Sequence, residues 1–304
     1  MRVFVTGGTG FIGSAVVREL IGAGHQVVGL ARSDQRAEEL ERAGAGVHRG
    51  DLTDPASLAA GAGAADGVIH LAFGHDFSRY AEMGETDRRA IEAMAGAMEE
   101  TGKPLVITSG TTVVAVGRTV REEEAAREDS PSGVRAPSEH ALERWSRRGV
   151  RGVSVRLPPS VHGPGDHGFV PMLIGVAREK GVAAYPGDGA NRWPAVHRLD
   201  AARLFRLALE KGEAGMRVHG AAEEGVPMRD IAAAIGEGLG VPVRGLSAEE
   251  AGAHFSWMAM FVGVDNPTAS GLTREALGWR PREPGLLDDL RKAYYFSSDW
   301  PGTA

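Results

Sequence analysis

The sequence predicts an α/β protein: a doubly wound parallel sheet with a smaller C-terminal substrate lobe. Three observations predict it. Over the first 110 residues, short β-rich runs alternate with amphipathic stretches, which is the pattern of repeated βαβ units with helices on both faces of a sheet. A glycine-rich string, Gly7 to Gly13, lies between the first apolar run and the first amphipathic one. After the first 110 residues the alternation loosens, and beyond Leu157 comes a Pro- and Gly-rich stretch, Pro158 to Pro171, before helical patterns return.

The elements follow in order. Arg2–Thr6 is a strand, since Val3, Phe4 and Val5 form a short apolar run that stops at the glycines. A helical pattern runs from Phe11 to Ile21, a strand over Gln26–Leu30, a charged helix over Asp34–Ala43 and a short strand near Val47. Gly67–Leu71 reads as a buried strand, Arg79–Glu100 as a long polar helix and Leu105–Thr108 as another strand. Residues 118–135, charged and containing Ser, Pro and Gly, read as a surface excursion. A helix over Ser138–Arg148 leads into the strand Gly152–Leu157, and further helices are expected at Met172–Lys180, Asp200–Lys211, Met228–Leu239 and Pro284–Phe296. The expected division assigns 1–157 and 190–222 to the sheet domain, and 158–189 and 223–304 to the lobe.

Composition narrows the function classes. With 304 residues the chain can bury a large core, and its 42% hydrophobic content argues against disorder. A formal charge of −6 gives no chain-wide footprint for nucleic acid. With no cysteine there is no disulfide or thiolate site. No apolar run reaches 18 residues, so no membrane span is expected. A soluble, cytoplasmic protein is the expectation.

The most informative segment is Thr6-Gly7-Gly8-Thr9-Gly10-Phe11-Ile12-Gly13. It follows a strand and opens a helix, the context a dinucleotide-binding loop requires. Gly7 permits a tight turn, Gly10 lets a phosphate approach the backbone, and Gly13 allows close helix–strand packing. The helix N-terminus offers free N–H groups and partial positive charge to a pyrophosphate, with Thr9, Phe11 and Ile12 alongside.

The Thr-Gly-x-x-Gly-x-x-Gly spacing resembles the extended short-chain dehydrogenase/reductase superfamily, of the NAD-dependent epimerase/dehydratase type, over nearly the whole chain. The resemblance implies a Rossmann sheet. It implies that Gly50-Asp51-Leu52 contacts adenine, that the strand end His70-Leu71-Ala72-Phe73 passes the cofactor, and that Pro158 begins a loop passing the nicotinamide. Gly187-Asp188-Gly189 through Val196-His197 to Asp200 resembles a further family segment.

Charge indicates which dinucleotide. An NAD binder places an acidic residue near the end of the second strand; here Ala31 stands there and Arg32 follows. A guanidinium suits a 2′-phosphate, and Arg36 lies one turn on. NADP(H) is therefore expected, with Asp34 keeping NAD(H) open.

The superfamily's usual chemistry is absent. Its Tyr-x-x-Ser-Lys-x-x-x-Glu pattern aligns with Arg135-Ala136-Pro137-Ser138-Glu139 through Glu143, so Arg135 replaces the Tyr and Glu139 the Lys. None of the tyrosines, Tyr80, Tyr185, Tyr294 and Tyr295, has a Lys four residues later or lies in the helix before the sixth strand. Arg135 can polarise an oxyanion but is not a proton donor. The pair His140 and Arg144 resembles the His-x-x-x-Arg of some atypical members. His162 stands where the superfamily has a Tyr before Gly-Pro, so His140 and His162 are alternative proton donors. Thr111 is the expected substrate-oxygen ligand, with Ser109 and Thr112 beside it. His167, Arg192 and Trp193 are further substrate candidates, although Trp193 reads equally as a core anchor. No metal is expected. The apolar run Phe255–Phe261 reads as core or subunit interface and leaves a homodimer open.

Together these features predict an NADP(H)-dependent oxidoreductase acting on a small-molecule carbonyl or alcohol with a non-standard proton donor. Two alternatives stay open: a regulator-like (NmrA-like) nucleotide sensor, and an epimerase or dehydratase that retains its cofactor.

Overall fold

The computed structural model describes residues 1–74 and 77–297. Its centre is a seven-stranded parallel sheet in the order β10-β6-β5-β4-β1-β2-β3. The strands are β1 (Arg2–Thr6), β2 (Gln26–Ala31), β3 (Gly46–Arg49), β4 (Gly67–His70), β5 (Pro104–Gly110), β6 (Arg151–Leu157) and β10 (Met216–His219). The order reverses between β1 and β4, which makes a crevice at the strands' C-terminal ends, where ligands of open α/β sheets bind. The central strands are apolar on both faces, and β4 is buried at every residue, because helices cover the sheet twice.

On one face lie α1 (Phe11–Gly22), α2 (Asp34–Arg42) and α7 (Arg198–Lys211), closing a core that includes Val5, Val16, Leu20, Ile69, Phe205 and Trp279. On the other lie α3 (Pro55–Gly63), α4 (Tyr80–Gly96) and α5 (Ala136–Ser146), around Phe4, Leu58, Ile91, Met94 and Ile107.

A third core belongs to the C-terminal lobe. It is assembled from α6 (Phe169–Lys180), α8 (Met228–Leu239), α9 (Ala248–Phe255), α10 (Ala259–Val262) and α12 (Leu286–Leu290). These surround two small sheets. One joins β7 (Ser160–His162), β9 (Arg192–His197) and β11 (Glu223–Pro227), and the other pairs β8 (Ala183–Pro186) with β12 (Val243–Leu246). The remaining helix, α11 (Gly271–Leu277), returns to the first core through Leu277.

Several expected elements differ. The Pro- and Gly-rich stretch contains β7, which pairs in parallel with β9. Residues 118–135 run largely over the surface, as expected, but the segment is anchored inward: Val120 is fully buried, and Glu122 is buried with Oε1 accepting from Thr273 N and Oγ1 at 2.9 and 3.0 Å. The other charges stay at the surface, where Arg118 pairs with Glu124 and Arg127 with Asp129. The helix expected over Arg79–Glu100 ends at Gly96. The helix expected over Pro284–Phe296 is two short pieces, α12 and a 3-10 turn at Ala293–Tyr295. Among the described residues no helix is long and apolar enough to cross a membrane.

Candidate functional site: a nucleotide cradle and a buried polar cluster

The glycine loop is built for a close backbone approach. Gly7 has φ +69°, and a Cβ there would lie 2.7 Å from the Ala72 amide nitrogen, so the loop sits hard against the end of β4. A Cβ on Gly13 would fall 1.9 Å from Gly7 O. Gly10 caps α1 without a side-chain hydrogen bond, and the first turn carries no acidic residue. The helix therefore opens with unspent N–H groups and no competing anion. These features fit a pyrophosphate, which the loop's amides and the α1 N-terminus would hold. Arg198 adds positive charge nearby, its guanidinium 5.1 Å from the Phe11 ring centroid and its Nε buried without a hydrogen-bond partner. His167, exposed, sets its ring edge-on to the same Phe11 at 5.7 Å.

At the other end of the cradle, Asp51 Oδ1 accepts from Thr53 N at 2.8 Å and Thr53 Oγ1 at 2.7 Å. Those bonds, with a contribution from the Arg32 charge, hold its carboxyl below the usual range. Arg32 is exposed just past β2 and makes no hydrogen bond or ion pair among the described residues. Arg36 points its guanidinium to Glu39 at 2.7 Å, and Arg49 pairs with Asp34 at 2.6 Å. Of the two expected phosphate-binding arginines, Arg32 is free and Arg36 is engaged. Leu52 packs on the core under α3, Leu71 and Ala72 give their amides to Thr6 Oγ1 at 3.2 and 3.3 Å, and Pro158 is buried at the end of β6.

Beyond the loop, β1, β4, α4 and α5 converge on a buried chain of polar side chains. Thr6 Oγ1 lies 2.6 Å from His70 Nδ1, His70 Nε2 lies 3.2 Å from Asp87 Oδ1, and Ser138 Oγ donates to Asp87 Oδ2 at 2.6 Å. Because the Thr6 hydroxyl already accepts two amides, its own proton goes to Nδ1, which leaves Nε2–H to donate to Asp87. Burial alone would raise the Asp87 pKa, but the Arg135 charge and the bonds from His70 and Ser138 hold it below the carboxylate norm. Arg135 precedes α5 on a 3-10 turn, 3.6 Å from Asp87 Oδ2, with its guanidinium 4.0 Å from the Phe73 ring centroid and donating to Thr108 O. Tyr80 joins from the start of α4. Its ring meets Phe73 edge-on at 6.0 Å, and its phenol lies beside the Ser132 hydroxyl, in the field of Arg135. Sequence reasoning set Tyr80 aside because it looked only to the helix before β6 and to a Lys four residues on.

Other expected site residues are placed elsewhere. Glu139, aligned with the superfamily Lys, turns inward to a two-point ion pair with Arg156, beside the buried Ser109 hydroxyl. Thr111 is fully buried and gives its hydroxyl to Asn266 Oδ1, and Thr112 bonds Ser132. Thr111 therefore holds the C-terminal segment and is not free for a substrate oxygen. His140 bonds Ala126 O at 3.2 Å, and the exposed Arg144 pairs with Glu92 at 3.1 Å. The four-residue spacing puts this pair on the outer face of α5, away from the Arg135 cluster. Trp193 is 1% exposed and packs against Phe169 as a core anchor of the lobe, which corrects its candidacy as a substrate grip. Arg192 is held by Asp265 through Nε at 3.0 Å and a terminal nitrogen at 2.9 Å.

His162 enters a separate buried cluster. Its Nδ1 lies 2.8 Å from Asp289 Oδ2, its Nε2 is buried without a partner, and its ring meets His197 edge-on at 5.4 Å. Nearby Asp166 accepts from Gly168 N at 2.7 Å and Tyr295 Oη at 3.1 Å, and burial pushes its pKa up to about 6.

Comparison with known proteins places the fold. The profile of the NAD dependent epimerase/dehydratase family matches residues 3–219. The chain belongs to this family. This epimerase/dehydratase-family chain is 49% identical over 296 residues to an uncharacterized protein of Schizosaccharomyces pombe, covering 97% of this chain and 100% of the other. It is 28% identical over 257 residues to a 2-alkyl-3-oxoalkanoate reductase of Stenotrophomonas maltophilia, covering 80% and 77%. Among solved structures it resembles a UDP-glucose 4-epimerase of Thermus thermophilus in complex with NAD, at TM-score 0.75 and 25% identity, covering 96% and 97%. It also shares the fold of a dTDP-glucose 4,6-dehydratase of Streptomyces venezuelae, at TM-score 0.78 and 23% identity, covering 98% of both chains. The family is NAD(P)-dependent, and the chain is an enzyme of its oxidoreductase, epimerase or dehydratase type.

Proposed function

We propose that this chain is an NADP(H)-dependent oxidoreductase that reduces the carbonyl of a small molecule, or oxidises the corresponding alcohol. The observation that carries the cofactor choice is Arg32: it is exposed beyond β2, makes no hydrogen bond or ion pair among the described residues, and adds its charge to the Thr53 bonds that hold the Asp51 carboxyl below the usual range. A 2′-phosphate at that strand end would meet a guanidinium with no carboxylate already bound to it. The uncapped α1 N-terminus, Gly7 and Gly10 would hold the pyrophosphate, and the β4 end with Phe73 and Pro158 would flank the nicotinamide, which supplies or accepts the hydride when bound.

The chain's own residues orient and stabilise. Arg135, presented beside Phe73 at the C-terminal edge of the sheet, would face negative charge developing on a substrate oxygen. The Thr6–His70–Asp87–Ser138 chain holds Arg135 from below and fixes the ends of β1 and β4. The likeness to a 2-alkyl-3-oxoalkanoate reductase supports reduction of a carbonyl.

Calorimetric titration of the purified chain with NADPH and NADH tests the cofactor reading. NADPH should bind more tightly than NADH. Equal affinities would remove the case for NADP(H), and heat from neither would remove the cofactor altogether.

A further inference from the structure

We infer that Tyr80 is the catalytic acid of this site, the phenol that protonates the substrate oxygen, with the Arg135 guanidinium as its charge partner. The inference rests on the oxidoreductase reading above and deepens it. It restores a phenol–cation pair from different parts of the chain: the phenol comes from the start of α4, and the cation from the position where the superfamily pattern has its Tyr.

Placement carries the argument. Tyr80 and Arg135 approach the same Phe73 ring, one edge-on at 6.0 Å between centroids and the other from 4.0 Å. Phe73 follows the β4 end against which Gly7 is pressed, so the pair stands at the crevice beside the glycine loop. The other candidate acids are engaged or lie elsewhere. His70 has both ring nitrogens engaged, His140 bonds Ala126 O on the outer side of α5, and His162 is tied to Asp289 in the lobe.

The chemistry balances. With hydride that a reduced nicotinamide dinucleotide would supply to the carbonyl carbon, itself becoming oxidised, the carbonyl π pair moves to oxygen, and that oxygen takes the proton as the Tyr80 O–H bond breaks. The phenolate left behind faces Arg135, and a proton from solvent restores it. Burial keeps the phenol's pKa above its ordinary value, with Asp87 pushing the same way and Arg135 and Ser132 opposing, so the acid form is the one present at neutral pH.

The test uses the full chain with NADPH and ethyl 2-methylacetoacetate as the carbonyl probe. Tyr80→Phe should lower kcat roughly 100- to 10,000-fold and leave Tm and the calorimetric Kd for NADPH unchanged. In nucleotide-free protein, the 295 nm absorbance titration of wild type minus Tyr80→Phe isolates this phenol, and Arg135→Gln should move its ionisation to higher pH. Wild-type kcat in Tyr80→Phe overturns the inference, as does an unmoved ionisation in Arg135→Gln. A wild-type protein that binds NADPH but does not oxidise it with this probe also overturns it. Absence of heat with both NADPH and NADH instead marks failure of the underlying oxidoreductase reading, and it is visible before any variant is made.

Discussion

Glu139 and Arg156 meet inside the protein as a two-point ion pair, with Arg156 Nε donating to Oε1 at 3.0 Å and a terminal nitrogen donating to Oε2 at 2.7 Å. Burial would push Glu139 up, yet the arginine holds its carboxyl below the usual range. His219, whose Nδ1 donates to Ala269 O at 2.8 Å, is kept neutral beside them, its pKa lowered to about 4 by burial and the Arg156 charge.

Removing one partner of this pair should be costly. Glu139→Gln strands the buried Arg156 charge and is expected to lose about 3–5 kcal/mol of stability. Replacing both with Met should recover much of that loss. Urea unfolding of the two variants checks this; a single variant as stable as wild type would contradict it.

Arg32→Ala should weaken NADPH binding by about 1.5–3 kcal/mol, roughly ten- to a hundredfold, the scale of one charged hydrogen bond. NADH affinity should stay nearly constant. Calorimetry with both nucleotides decides it, and equal losses would show that Arg32 does not read the 2′-phosphate.

Gly13→Ala forces a methyl to within 1.9 Å of Gly7 O, with the Gly7 carbonyl carbon at 2.8 Å, both backbone atoms that cannot turn aside. The loop must open, so nucleotide binding should be lost while Gly22→Ala, where a Cβ meets nothing within 4 Å, binds as wild type. Parallel titration of the two variants is the measurement.

Asp166 and Asp87 should leave opposite marks on stability against pH. The folded pKa of Asp166 is raised to about 6, so its favourable contribution is complete below the unfolded pKa near 4 and is lost as pH climbs through 6, by about 3 kcal/mol at most. Asp87 is depressed, so its contribution is present above the unfolded value and disappears as pH falls through the folded one. Thermal melts from pH 3 to 8 should show Asp166→Asn flattening the fall between pH 4 and 6. Asp87→Asn should flatten the acid limb. An unchanged profile in Asp166→Asn would refute the first assignment.

The first half of the fold was legible because each βαβ unit carries its own punctuation: apolar run, glycine turn, amphipathic helix. Helix α3 was missed because its sequence, PASLAAGAG, has little polar contrast. Its signals were the Asp54 cap, which accepts from Ala56 N and Ser57 N, and Pro55 in the first turn. Strand β7 was hidden by the prolines and glycines around it. At the site, the loop was legible because it is contiguous, while the His70–Asp87–Ser138 chain was not, since β4, α4 and α5 each give it one residue. Spacing alone placed His140 with Arg144 correctly on one helix face but could not say which way that face points.

The segment after α10 is stitched into the first half of the chain. Asn266 accepts from Thr111 and donates to Ala115 O at 3.1 Å, Val120 N donates to Pro267 O at 2.9 Å, and Ala269 N donates to Val120 O at 3.0 Å. These are seams running between early and late stretches of polypeptide, and the side chains they tie down are otherwise sealed from water. A ribosome that has emitted only the seven-stranded portion has therefore made an open garment, with Thr111 and Val120 still waiting for their cover. Closure comes only near the finish of synthesis, so heating should undo both halves together in a single endotherm.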